Sequence, residues 1–531
     1  MRRPYLVLAL APLLVSACRA SAQYDVRAKP RTQLVVHLAV DQLRPEYLER
    51  YGPQFTSGLA RLLRGGAYFP NGYQDHGVTE TAPGHASMMS GRFPSGTGIV
   101  ANDGGVLDPE APLLGTPGEP ASPYRFRGST LGDWMRFADP RARLLSVSRK
   151  DRSAILPLGR AKGEAFWYAP LSGMFTTSTW YADTLPTWVQ RFNARRLPQS
   201  YAGKQWDLLL PASAYPEPDS VAVESGGNDY VFPHRHPSDV QRTTFTLVNY
   251  PTMDELTVKL ALEGVSVREL GAVPGRTDFL SMSLSSTDAV GHKYGPDSRE
   301  IHDQLLRLDR TLGVFIDSLY KLRDSSTIVF SFTSDHGVSP FPDSGFVTRY
   351  RDVPAGRTSL RPAVRALYQS LTTAGVDTSG FREDAGVLYL DPRAFARAGV
   401  NRDSVARAYI ADVLRINGVW RAELLTDVAK RDTTADAISR RWLHMFPPDL
   451  PVMVVVTLKP FWTWTGVRTA NHGSPHDYDA RVPVLFYGAG VRPGRTDDMV
   501  RVVDIAPTLA ALIDIVPQER LDGRVLTRVL K

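Results

Sequence analysis

Gln33–Gln42, QLVVHLAVDQ, is an apolar run that stops abruptly at Asp41. A short run rich in Val and Leu and closed by a charge reads as a buried strand. Three more runs share that form. DFLSMSLSSTDAVGH (278–292) reaches Asp288 and His292, and STIVFSFTSDHG (326–337) reaches Asp335 and His336. VPVLFYGAG (482–490) follows NHGSPHDYDAR (471–481), which carries His472. Between them lie helical patterns at 46–66, 298–324 and 504–516. In the second of these, Ile301, Leu305, Leu308, Leu312 and Ile316 keep a three-four spacing with charges between them. Strands alternating with helices predict an α/β sandwich, a central and mostly parallel sheet with helices on both faces.

Ligands gather beyond the carboxyl ends of strands in such sheets, and that is where these acids and imidazoles stand. Asp288 and His292 are four apart, so one helical face carries both, whereas adjacent Asp335 and His336 should point in different directions. Adding Asp41 and His472 gives six oxygen and nitrogen donors, enough for two three-ligand sites with open positions. Sets of this kind, without thiolate, suit zinc in a catalytic role. A lone Asp-His pair is more often a cap or a surface pair. Four clusters at four strand ends are harder to obtain by chance.

Two such metals can clamp the attacking and leaving oxygens of a displacement at phosphorus, which calls for a nucleophile. VTETAPGHASMMSG (78–91) offers Thr79, Thr81 and Ser87 around a Pro-Gly pair. Pro83 suits the first turn of a helix and Thr81 its N-cap, where N–H groups and the helix dipole attract phosphate. Thr79 would lie before the turn, and Ser87 inside the helix with less freedom to approach a metal.

The 531 residues exceed a usual single domain, so several domains or one core with large insertions is expected. Two long stretches, about 111–275 and 341–465, with irregular Pro, Gly and aromatic content, read as insertions that wall the site within one catalytic domain, 30–531. Residues 1–22 read as an export signal, too short for a membrane span. Two exits compete. Ala20-Ser21-Ala22 suits ordinary cleavage, and Val15-Ser16-Ala17-Cys18 resembles a lipobox that would lipidate Cys18, the only cysteine. Either exit implies an exported protein, periplasmic or anchored at the outer membrane. The net charge of +7 comes without a long Lys/Arg block, which argues against nucleic acid as a partner and leaves a mild field for small phosphorylated molecules.

Taken together, VDQLRPEYLERY (40–51), TETAPGHASMMSGRFPSGTGIVANDG (79–104), SRKDRSAILPLG (148–159), SSTDAVGHKYGP (285–296), TSDHG (333–337), HGSPHDYDARVPVLFYG (472–488) and VVDIAPTLAALI (502–513) resemble the alkaline phosphatase superfamily. They look most like its PafA-type bacterial phosphatases with a threonine nucleophile, relatives of the nucleotide pyrophosphatase/phosphodiesterases. The resemblance implies that Thr81 becomes a phosphothreonine and that two zinc ions are bound. It implies Asp41, Asp335 and His336 for one zinc and Asp288, His292 and His472 for the other. Asn102 matches an asparagine that donates to a phosphoryl oxygen. Lys150 and Arg152, two apart, would point the same way on an extended segment and hold the dianion of a phosphate monoester. The diesterase relatives lack that pair, so monoester hydrolysis is expected, with diester or nucleotide pyrophosphate hydrolysis as the alternative. His85 is expected to be a hydrogen-bonding residue of the turn and His476 to stand behind the ligands or at the surface. His76, His234 and His236 match no role. The arginine pattern of sulfatases is missing around Thr81.

Overall fold

The opening run forms β1 (Leu34–Val40), which lies inside a ten-stranded sheet in the computed structural model; residues 32–342, 354–467 and 469–531 are described. The expected export segment and Cys18 lie outside the described residues. With β2 (Ala67–Tyr73), β3 (Leu144–Ser148), β4 (Glu164–Ala169), β5 (Met174–Thr176), β6 (Asp278–Leu284), β7 (Ile328–Thr333) and β8 (Arg481–Gly488), the sheet runs β2-β8-β7-β1-β6-β3-β4-β5. The two short strands Gly494–Arg495 and Val500–Arg501 pair with β2 at the edge. From β7 to β4 every pairing is parallel, while β8 runs antiparallel to β7 and β2, and β5 antiparallel to β4. The carboxyl ends of β1, β6 and β7 and the start of β8 therefore share one rim.

The principal helices are α1 (Thr81–Ser90), α2 (Asp151–Ile155), α3 (Thr252–Val267), α4 (Ser286–Tyr294), α5 (Arg299–Leu322) and α6 (Ile505–Leu512). Alternate residues of β1 divide between two cores, as the period of two requires. Leu34, Val36, Leu38 and Val40 pack with Ile301, Leu305, Leu308, Leu312 and Ile316 of α5, which confirms the predicted stripe. Val35 and Ala39 pack with Ala82, Ala86 and Met89 of α1 and with Ile505 and Leu509 of α6. Among the described residues no helix is long and apolar enough to cross a membrane.

Two expectations are corrected. The pattern at 46–66 is not one helix but Pro45–Arg50 and Gly58–Gly65, separated by a 3-10 turn at Gly52–Gln54. Pro53 has no N–H to continue the ladder. The second helix is fastened instead by Asp309 of α5, whose carboxylate accepts from the N–H groups of Thr56, Ser57 and Ala60. Nor is 111–275 simply an insertion, because it supplies β3, β4 and β5 to the main sheet and α2 and α3 to its faces. Its prolines and aromatics hid three short, buried strands. The described part of 341–465 does stand apart. Strands Arg382–Asp384, Val387–Tyr389, Val452–Leu458 and Val419–Leu424 form an antiparallel sheet in that order, with a separate core around Leu371, Leu388, Tyr409 and Val454.

Candidate active site

At the shared rim the chain turns sharply. Asp41 follows β1 directly, and the next residue, Gln42, is held at φ 65°. That sparsely populated backbone conformation for a non-glycine residue is fixed by two bonds. The Gln42 N–H donates to Asp335 Oδ1 at 3.1 Å, and its side-chain Nε2 donates to Asp288 Oδ1 at 2.9 Å. Three acids from three separate strand ends are thereby tied together. All of them are buried.

The predicted pairing on α4 forms as the four-residue spacing requires, with His292 Nε2 at 3.1 Å from Asp288 Oδ1. Asp335 and His336 behave differently from the expectation. They do not diverge; His336 Nε2 lies 3.6 Å from Asp335 Oδ2 and 3.4 Å from Asp41 Oδ1. After β7 the backbone no longer has the strand alternation that would have separated them. His472 completes the set, stacked on His336 with ring centroids 3.5 Å apart and with Nε2 at 3.9 Å from Asp288.

Each of the three imidazoles is oriented from behind. His292 Nδ1 meets the Ala470 carbonyl at 2.7 Å, His336 Nδ1 the Gly337 carbonyl at 2.9 Å, and His472 Nδ1 the Thr79 carbonyl at 2.8 Å. A carbonyl can only accept, so each Nδ1 carries a proton and each Nε2 is turned toward the acids. Two donor sets lie within 4.8 Å: Asp288, His292 and His472, and Asp41, Asp288 and His336. Asp335 stands beside the second set.

Thr81 is the first residue of α1 and not its N-cap. Glu80 takes the cap position because its backbone is extended, φ −118° and ψ 164°. The Glu80 carboxylate accepts the Asn102 N–H at 2.6 Å, and Asn102 Oδ1 accepts the Ala82 N–H at 2.9 Å, leaving the Asn102 NH2 for another acceptor. The Thr81 hydroxyl lies 3.5 Å from His336 Nε2. Thr79 donates to the Ser474 carbonyl and Ser87 to the Pro83 carbonyl, so neither rivals it. Helix α1 comes this close to β7 only because residue 84 is glycine: a Cβ there would stand 2.5 Å from the Asp335 carbonyl oxygen.

Lys150 reaches the centre of the cluster, with Nζ 2.5 Å from Asp41, 2.8 Å from Asp288 and 3.2 Å from the Thr81 hydroxyl. The extended segment predicted for Lys150 and Arg152 ends at Lys150, which caps α2. Arg152 lies within that helix, pairs with Asp151 at 3.6 Å and makes no ion pair with the clustered acids. A residue that the sequence reading passed over, Arg149, comes within 3.6 Å of Asp288 instead. His85, expected as part of the turn, bonds to the Thr81 carbonyl and Ser283 and also lies 3.3 Å from Asp335. His476 bonds to the Leu458 carbonyl behind the site, while His76 bonds to Gln74 and His236 packs on Tyr250.

The family model for type I phosphodiesterase / nucleotide pyrophosphatase matches residues 35–479. The chain belongs to that family. It is 30% identical to the alkaline phosphatase PhoV of Synechococcus elongatus, with all of both chains covered. It is also 30% identical to the alkaline phosphatase PhoK of a Sphingomonas species, over 94% of this chain and 91% of that one. The crystal structure of wild-type alkaline phosphatase PafA superposes with a TM-score of 0.86 at 27% identity, covering 95% of this chain and 100% of that one. The predicted resemblance and fold are thus shown.

The electrostatics of the cluster are those of a cation site. Burial, with Asp288 and Asp335 adding to it, pushes Asp41 up to about 6. Burial acts on Asp288 in the same direction, yet Lys150 and His292 hold it well below the usual carboxylate range. Burial and the neighbouring His336 and His292 keep His472 neutral, as a ligand must be. Beyond the Lys150 ammonium, neither oxygen of Asp41 has a hydrogen-bond donor among the described residues. Buried carboxylates clustered with the Nε2 atoms of carbonyl-braced imidazoles fit divalent metal ions.

Proposed function

We propose that this chain is a zinc-dependent phosphate monoester hydrolase that works through a phosphothreonine on Thr81. The observation that carries the reading is the Thr81 hydroxyl at 3.2 Å from Lys150 and 3.5 Å from His336, at the start of a helix and beside two metal-type donor sets. Asp41, Asp335 and His336 would hold one zinc, and Asp288, His292 and His472 the other. When bound, the ions lower the pKa of a coordinated hydroxyl and neutralise charge on the departing oxygen.

The chain's own groups do the rest. Thr81 Oγ, having lost its proton to solvent, bonds to phosphorus, and the ester P–O bond breaks. The leaving alcohol takes a proton from water. Lys150 places a positive charge beside Thr81, where the equatorial phosphoryl oxygens pass during the displacement, and the Asn102 amide donates to one of them. Arg152 adds charge from α2. Water then cleaves the phosphothreonine, releasing inorganic phosphate and restoring the hydroxyl. Residues 1–22 would direct the chain out of the cytoplasm, through either signal cleavage or lipidation of Cys18.

A paired assay tests this. Chelation should abolish hydrolysis of phenyl phosphate, zinc should restore it, and bis-phenyl phosphate should be the poorer substrate by kcat/KM. A faster diester reaction would move the chain to the diesterase side of its family, and full activity after exhaustive chelation would defeat the metal assignment.

A further inference from the structure

Beside His472 a cleft opens between the main domain and the annex of residues 354–465. Its lining includes Glu80, the neighbour of Thr81, with His472 and Tyr478, and the three tryptophans Trp442, Trp462 and Trp464. Its volume is about 130 Å³. An engineered apolar cavity of about 150 Å³ takes up benzene, so one aromatic ring is the size that fits.

The tryptophans are held in a way that keeps this wall in shape. Glycines lie behind two of them: a Cβ on Gly356 would stand 3.1 Å from the Trp462 ring, and one on Gly386 3.1 Å from the Trp464 ring. Trp442 is anchored by its indole N–H, which donates to the Thr457 hydroxyl at 2.9 Å. Trp462 and Trp464 belong to the strand Trp462–Trp464, paired in register with Gly356–Thr358. The Trp462 indole N–H is buried and has no acceptor among the described residues. Rigid aromatic faces and an unsatisfied donor are what a planar ligand is recognised by.

We infer that this cleft is a leaving-group subsite that selects monoesters of single-ring aromatic alcohols. The inference rests on the proposed function, because His472 lies in one of the two donor sets proposed to hold zinc and also lines the cleft. A ring on an oxygen that departs beside His472 meets the aromatic lining of the cleft. Ring-on-ring packing stabilises a bound aromatic group beyond its area burial. A methyl ester has nothing to place there.

The test compares phenyl phosphate with methyl phosphate in the parent, Trp464→Ala and Trp464→Phe. Trp464→Ala should lower kcat/KM for phenyl phosphate about tenfold, or about 1.4 kcal/mol, and leave methyl phosphate unchanged. Trp464→Phe should recover most of the loss. Equal losses on both esters, or none on phenyl phosphate, would overturn the subsite. A readout without turnover keeps the two readings distinct. By quenching of tryptophan fluorescence, phenylphosphonate should bind the zinc-loaded parent about tenfold more tightly than methylphosphonate, and equally with it in Trp464→Ala. Equal binding in the parent overturns the subsite whatever the kinetics. The binding preference without hydrolysis of either ester would defeat the proposed function and leave the subsite standing.

Discussion

Helix α4 has an acid-imidazole cluster on each side. On one side are Asp288 and His292 with Asp41, Asp335, His336 and His472. On the other, Lys293 and Tyr294 meet Asp229 and His234, with Glu300 and Glu224 behind them. Composition alone would treat them as equals. In the first, imidazoles braced by carbonyls turn their Nε2 atoms onto acids from several strand ends. In the second, His234 spends both ring nitrogens on carboxylates, Asp229 at 3.0 Å and Glu300 at 2.9 Å. A histidine held between two carboxylates of the same loop region and helix is a structural bridge, whereas convergence of several carbonyl-braced imidazoles on acids from separate strand ends is what makes a site.

The sharpest way to break this contrast is to remove the hydroxyl. Thr81→Ala should lower kcat/KM for phenyl phosphate by at least about 10⁵-fold, the scale on which a serine protease loses its nucleophile. Its zinc content, read by metal analysis, should stay that of the parent. Zinc lost along with the activity would mean that Thr81 holds the cluster together and is not the group that reacts.

Lys150 gives the next largest effect. Truncating it removes the cation 3.2 Å from Thr81 and leaves Asp41 and Asp288 without their ammonium partner. Lys150→Ala should reduce phenyl phosphate hydrolysis by about 10²–10³-fold, the range for one transition-state donor. Bis-phenyl phosphate, with one fewer charged oxygen, should lose less. Equal losses would assign Lys150 to positioning Thr81 and not to the charge of the monoester.

The sequence made the first cluster legible because its information is local. Asp41, Asp288, Asp335 and His336 each sit just past an apolar run, and β1, β6, β7 and β8 formed where those runs were read. What failed was geometry within a few residues. Asp335 and His336 converge because the chain leaves β7 before them, and Glu80 displaces Thr81 from the cap because capping follows backbone angle, not hydroxyl content. Gln42 and Arg149 were illegible for another reason. Their roles exist only once residues some 140 or more positions away arrive beside them. The strands of 144–176 were missed because they are short and lie among prolines and aromatics, where periodicity has few residues to speak through.

The smallest effect belongs to the second cluster. Glu224 is buried and, among the described residues, neither of its oxygens has a hydrogen-bond partner. Burial first, then Glu300 and Asp219, push its carboxyl up from 4.5 to about 9. A raised acid pKa means that the folded state holds a proton the unfolded chain releases. The stability linked to that proton is complete below about pH 4.5 and is lost as pH rises toward 9. Glu224→Gln has no charge to lose, so its melting temperature should match the parent near pH 4.5 and exceed it increasingly from pH 5 to 9. Zinc content and phenyl phosphate turnover should stay at parent values, since the 3-10 turn Glu224–Gly227 packs against α4 and Glu224 neighbours Glu300, not the clustered acids of the site. Loss of zinc in this variant would show that the two sides of α4 are one site, and a pH-independent shift in melting would show that packing, not the proton, sets the difference.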